Sequence, residues 1–260
     1  MKRFIFCVKV FRIFAENFQM DSFIRRLKYY GIGFGIGLFF VFFFFQNRGC
    51  SWLPANRVKN SFLDRVIVLP ESQLKLMREK NLTKEDIINV LNDGEVVFDK
   101  SAKQGQTKVY LIEKEFDSKG TISFFFTLPK ESFISEVHFA AKKAQQVSEK
   151  AAYKVKNSTS GFGEILHFPK EENLIFVDTS KFVTCQQEAL GLINALDIFS
   201  LIKKNGRIDF SKTQYGIRPK PEQFLVFNDK KNREIGCKAI WYKNKINITA
   251  FELPFKSDCK

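Results

Sequence analysis

The sequence predicts an α+β protein, with an N-terminal transmembrane helix followed by two similar small units, each of two helices and an antiparallel sheet. Three observations predict it. Residues 29–45 (YYGIGFGIGLFFVFFFF) carry no charge. Residues 61–139 and 163–255 each pass from helical periodicity to three strand-like runs. Residues 94–101 (GEVVFDKS) align with residues 206–213 (GRIDFSKT). The chain then divides into a basic segment (1–28), the helix (29–46), a juxtamembrane linker (47–60), a first unit (61–139), a helical linker (140–162) and a second unit (163–255).

The apolar run would span about 26 Å at ~1.5 Å per residue, slightly under a ~30 Å hydrocarbon core, with Lys28 and Arg48 able to snorkel at its ends. Tyr29 and Tyr30 occupy the place of an interfacial aromatic belt. The run closes on Gln46-Asn47-Arg48-Gly49-Cys50, which offers neither a small-residue cleavage site nor the setting for lipidation of Cys50. An uncleaved anchor in the inner (cytoplasmic) membrane is therefore expected, with lipid as its partner. Seven Lys or Arg precede the run, whereas Arg48, Arg57 and Lys59 follow it, so the remainder is expected in the periplasm. A start at Met20 would leave only Arg25, Arg26 and Lys28 in front and nearly erase the asymmetry. Gly31, Gly33, Gly35 and Gly37 form two overlapping Gly-xxx-Gly spacings, a flat patch on which a second helix can pack.

Charge and cysteine usage narrow the chemistry. The formal charge is +14, of which about +8 falls after residue 50. Lys and Asn are spread through the chain rather than gathered in a stripe, the pattern of a solvated surface, and nucleic acid is not an expected partner. Five Cys are scattered and His occurs twice, so no zinc site is expected, and no metal or other cofactor. Cys185 and Cys237 both fall in the second unit. A bridge between them would close a loop of about 50 residues, and two separate thiols are the alternative.

Within the first unit, residues 62–69 are apolar and β-branched, a short strand or an extended lead-in closed by Pro70, and Leu74, Met77 and Leu82 share one helical face. Thr83 with Asp86 makes a capping signal before Ile87, Ile88, Val90 and Leu91, and Gly94 is expected as a left-handed cap. Strand-like runs follow at 108–113, 121–128 and 132–139, joined by short polar turns. Residues 140–156 read as an exposed Ala/Lys helix. The second unit repeats the plan, with an apolar run at 174–177, one helix over 188–204 broken near Asp197, and strands at 223–228, 235–242 and 245–253.

Residues 72–94 (SQLKLMREKNLTKEDIINVLNDG) resemble the opening of domain of unknown function family 4258, which is similar to BrnT-like and RelE-like ribonuclease toxins. The match rests on Leu74, Met77, Leu82, Glu85-Asp86-Ile87, Val90-Leu91 and Gly94, and extends over about residues 20–139 to the family's membrane-tethered Bacteroidetes form. The resemblance implies a small α+β toxin-type scaffold. Ser72 stands where the family has His, Leu76 where it has Arg and Asn81 where it has Gly, so the proton-transfer group and the cation that RNA cleavage needs are not carried over.

No residue is assigned a catalytic, cofactor-binding or metal role. His138 and His167 are expected in structural settings. Lys100-Ser101 and Lys212-Thr213 lack the preceding Gly-x-x-x-x-Gly of a phosphate loop. The expected function is a membrane-anchored, non-enzymatic binding or scaffold module exposed outside the cytoplasm, its protein partner unknown. The alternative is a degenerate or active ribonuclease-toxin-like domain facing the cytoplasm, with Arg78 and Lys80 as its nearest cations.

Overall fold

In the computed structural model the described residues are 22–46, 53–140, 154–169, 175–192, 194–242, 245–256 and 258–259. They belong to two units, Met1–Ser51 and Trp52–Lys260. The first contains α1 (Ser22–Gln46), whose residues 26–41 are exposed. Among the described residues no helix is long and apolar enough to cross a membrane. That finding corrects the single-pass anchor and, with it, the inner-membrane and periplasmic placement. Arg26, Lys28, two tyrosines and four glycines lower the apolar character of residues 26–41. A Cβ added at Gly31, Gly33, Gly35 or Gly37 would meet nothing within 4 Å. Cys50 and the 140–156 helix (except its two ends) lie outside the described residues.

The second unit is mostly sheet. Its helices are α2 (Pro54–Leu63), α3 (Glu71–Glu79), α4 (Lys84–Asp93), α5 (Lys181–Leu190) and α6 (Ala195–Asn205). Its strands are β1 (Val66–Pro70), β2 (Glu95–Ala102), β3 (Thr107–Phe116), β4 (Gly120–Pro129), β5 (Ile134–Phe139), β6 (Phe162–His167), β7 (Ile175–Val177), β8 (Arg207–Gln214), β9 (Glu222–Asn228), β10 (Glu234–Tyr242) and β11 (Lys245–Glu252). All eleven join one sheet in the order β2-β3-β4-β5-β1-β6-β8-β9-β10-β11-β7. Two separate helix-helix-antiparallel-sheet units are therefore not what forms. One continuous mixed sheet forms, with parallel pairs at β1–β5 and β7–β11. The expected juxtamembrane linker contains α2, with Pro54 in its first turn, where the missing N–H costs nothing.

Both halves of the sheet run strand, helix, helix, four strands, and both place the leading strand parallel beside the last. β6 lies antiparallel to β1 on one side and to β8 on the other. β1 and β8 consequently point the same way, which inverts the second half relative to the first. Side-chain sidedness agrees. Ile67 and Leu69 pack into the core under α2, α3 and α4, whereas Val66 and Val68 pack into the core of α5 and α6. The two helical layers therefore cover opposite faces of the sheet.

Local chemistry explains the element ends. Thr83 closes a capping box with Asp86, and Asn194 caps α6 by accepting from Leu196 N–H. Gly94 is not left-handed: its φ is −68° and a Cβ would fall 2.3 Å from the Val90 carbonyl oxygen, so the site needs Gly for space. Gly206 is the same, 2.3 Å from the Ile202 carbonyl oxygen. The left-handed cap is Gly191, at φ 71°, and it separates α5 from α6 where one broken helix was expected. Cys185 bonds to Cys259 rather than to Cys237, whose thiol is buried and free. The β6 backbone passes so close to β1 and β8 that a Cβ on Gly163 would sit 2.4 Å from Val68 Cγ1 and 2.7 Å from the Phe210 ring. Gly163→Ala is expected to lower unfolding free energy by about 1–3 kcal/mol, read as a lower urea midpoint, against about 1 kcal/mol for Thr83→Ala.

Candidate functional site

One concavity opens where the two halves meet. α4 supplies Lys84, Glu85, Ile88 and Asn89, β6 supplies Glu164 to Leu166, and the end of α6 supplies Lys203 and Lys204, around about 390 Å³. A second hollow of about 570 Å³ adjoins it and shares Lys84, Glu85 and Glu164. Its floor is apolar, formed by Leu69, Leu74, Met77 and Leu82, and Arg78 stands on its rim. Lys84 and Glu164 form an ion pair on the boundary the two hollows share. The capping box sets the position of Lys84 and Glu85, because the first turn of α4 is fixed by Thr83 and Asp86. Burial pushes the Asp86 carboxyl up, but hydrogen bonds from Lys119 and Thr83 outweigh it and hold the group below the usual carboxylate range.

A second polar group is closed rather than open. Glu136 on β5 is 3% exposed. Both its oxygens accept from Ser158 N–H, at 3.0 and 2.9 Å, and Oε2 also accepts from the Ser158 hydroxyl at 2.8 Å. His138 Nε2 lies 3.3 Å from the same oxygen without hydrogen-bond geometry. The Tyr215 hydroxyl donates to the Ser158 carbonyl at 2.8 Å, and burial, aided by the Glu136 charge, drives its pKa upward. A Ser, a His and a Glu thus come together, but the serine hydroxyl donates to the carboxylate and makes no hydrogen bond with the imidazole Nε2. The arrangement clamps residue 158 to the sheet; it does not build the serine–imidazole hydrogen bond that nucleophilic catalysis requires.

The remaining residues singled out in the sequence are dispersed. His167 Nε2 bonds the Leu63 carbonyl at 3.1 Å. Burial lowers its pKa, with that carbonyl opposing. Ser101 and Thr213 occupy matching bulges: each hydroxyl donates to a carbonyl four residues back, Val97 at 2.6 Å and Asp209 at 2.8 Å. Ser72 and Leu76 are exposed on α3, and Asn81 follows that helix at φ 52°, a left-handed position that Gly or Asn fills readily. Among the described residues no three His, Cys, Asp or Glu gather as metal ligands. Sequence reasoning missed Glu136, Ser158, Tyr215 and the Lys84–Glu164 pair. Glu136 alone carried a signal, as an acid inside an apolar strand.

Comparison with family models, with curated proteins and with solved structures returned no match for this chain.

The depressed imidazole pKa of His167 has a definite sign. Between its folded value and the ordinary 6.5 the unfolded chain holds a proton that the folded chain does not. Stability from this group is therefore complete above pH 6.5 and falls as pH drops below it. His167→Gln should flatten the slope of unfolding free energy against pH in that window, as read by urea titrations at successive pH values.

Proposed function

We propose that the chain is a non-catalytic binding module, and that its partner enters the double hollow between the two halves. One observation carries this reading. The two adjoining cavities combine an apolar floor with a charged rim at a single place, while His167, Glu136 and Cys237 are committed to internal contacts or buried. An apolar floor with a few convergent polar groups is the usual form of a recognition site. The rim carries Arg78, Lys84, Lys203 and Lys204 against Glu85 and Glu164, so the partner segment is apolar with acidic positions. The likeness of residues 72–94 to the toxin-type scaffold is compatible with it, because Ser72 and Leu76 supply neither proton transfer nor charge.

Peptides selected from a random display library against the full chain should be enriched in acidic and apolar residues. Their affinity, measured by calorimetry, should fall at least tenfold in the Arg78→Glu, Lys204→Glu double variant. Turnover of a labelled RNA by the full chain, abolished by Arg78→Ala or Lys80→Ala, would instead favour the ribonuclease alternative.

A further inference from the structure

We propose that the free edge of β2 is a docking strand for an extended segment of a partner that carries a basic residue. The interior of the sheet supplies the precedent. β6 adds to β8 in antiparallel register through Phe162↔Asp209, Gly163↔Ile208 and Glu164↔Arg207, and Phe210 N–H donates to the Gly161 carbonyl at 2.9 Å. β2 is the counterpart of β8. Each follows a helix through a glycine whose N–H donates four residues back, Gly94 to Val90 at 2.9 Å and Gly206 to Ile202 at 2.7 Å. Each slips register at the same hydroxyl-bonded bulge, and each hydroxyl also accepts an N–H from the next strand, Leu111 at 3.0 Å and Phe224 at 3.4 Å.

β8 is covered by β6, but β2 ends the sheet and, among the described residues, pairs only with β3. The backbone groups of Val96 and Phe98, counterparts of Ile208 and Phe210, therefore face outward with no strand among the described residues to receive them. An unpaired edge of this kind is a template for strand addition.

The charges specify the occupant. Inside, Arg207 lies opposite Glu164 and also pairs with Glu234 at 2.9 Å. At the outer edge the counterpart of Arg207 is Glu95, which lies opposite Glu113 on β3. Like charges directly opposed are unfavourable; Glu113 accepts from the Ser123 hydroxyl at 3.2 Å, but neither carboxylate has an ion pair among the described residues. A lysine or arginine placed opposite Glu95 would offset that repulsion. Since an antiparallel occupant meets Val97 before Glu95, it reads apolar, any residue, basic. A second copy of β2 set with Val96 opposite Phe98 would bring Glu95 against Asp99, and in no antiparallel register centred on Val96 or Phe98 does it bring a cation opposite Glu95.

The probe is a labelled nine-residue peptide copying residues 158–166 with Glu164→Lys, titrated against the full chain by fluorescence anisotropy. It should bind at least tenfold more tightly than the unaltered copy. Glu95→Lys in the chain should invert that preference, and Glu95→Gln should erase it without inverting it. Methylating the peptide nitrogen at the position of Gly163, which faces the edge in the interior pairing, should abolish binding. No binding, equal binding of both peptides, or indifference to the methyl group would overturn the proposal. So would a preference for the glutamate peptide, which would mean that it replaces β6 instead of adding to β2. Lys204→Glu should leave this binding unchanged, which separates the edge from the hollow between the halves.

Discussion

The fold of the second unit depends on β1 being buried on both faces. Val66, Ile67, Val68 and Leu69 are each 0–1% exposed. Burying a chain of that size contributes roughly 1.5–3 kcal/mol. A strand with water on one side alternates apolar and polar, but this one does not, because each face meets a different core. Its two neighbours follow from that position. β5 reaches it in parallel from the first half, and β6 returns antiparallel to carry the chain across to the second. Gly163 is the point of closest approach, where β6 has no side chain to hold Val68 and Phe210 apart.

Polar groups taken into this sheet are answered locally. Asp229 is pushed up by burial but accepts from Arg233 and from backbone N–H groups, which hold it below the usual range. Burial lowers the Arg65 pKa, and its guanidinium donates to the Pro129 and Ser132 carbonyls, closing the β4–β5 turn. Gln186 on α5 both donates to and accepts from the Phe251 backbone, fixing α5 to β11 beside the Cys185–Cys259 bond. Each arrangement leaves few unsatisfied atoms, which is what a buried polar group requires. The open hollows, by contrast, keep their charges at the rim. That contrast separates the groups that hold the fold from those able to meet a partner.

Local signals were legible in the sequence and long-range ones were not. The Thr83 capping box could be seen because its partners are three residues apart. The match of 94–101 with 206–213 marked two strands built on the same bulge, although neither was among the expected strands. β1 is legible as a short strand or lead-in, but its place in the sheet is not, since its parallel partners lie 68 residues later and parallel pairing leaves no turn to find. Residues 162–167 ran across an expected linker boundary because β6 is short and contains Gly163. The oily run near residue 40 dominated the reading of the whole chain. Among the described residues no helix is long and apolar enough to cross a membrane, so the placement argued from that run is not upheld. The site was hidden for another reason: Lys84, Glu164 and Lys204 stand far apart in sequence, and none is unusual alone.

The single connecting strand between the halves has a consequence for how such an architecture can grow. Because β6 runs opposite to both neighbours, joining by one strand turns the following half upside down. A third half added in the same way would be turned back again and would share the first one's orientation. The repeating element of an extended form is therefore the pair, and its surface would alternate strips of helix and bare sheet on each side, unlike a solenoid whose every repeat looks out the same way.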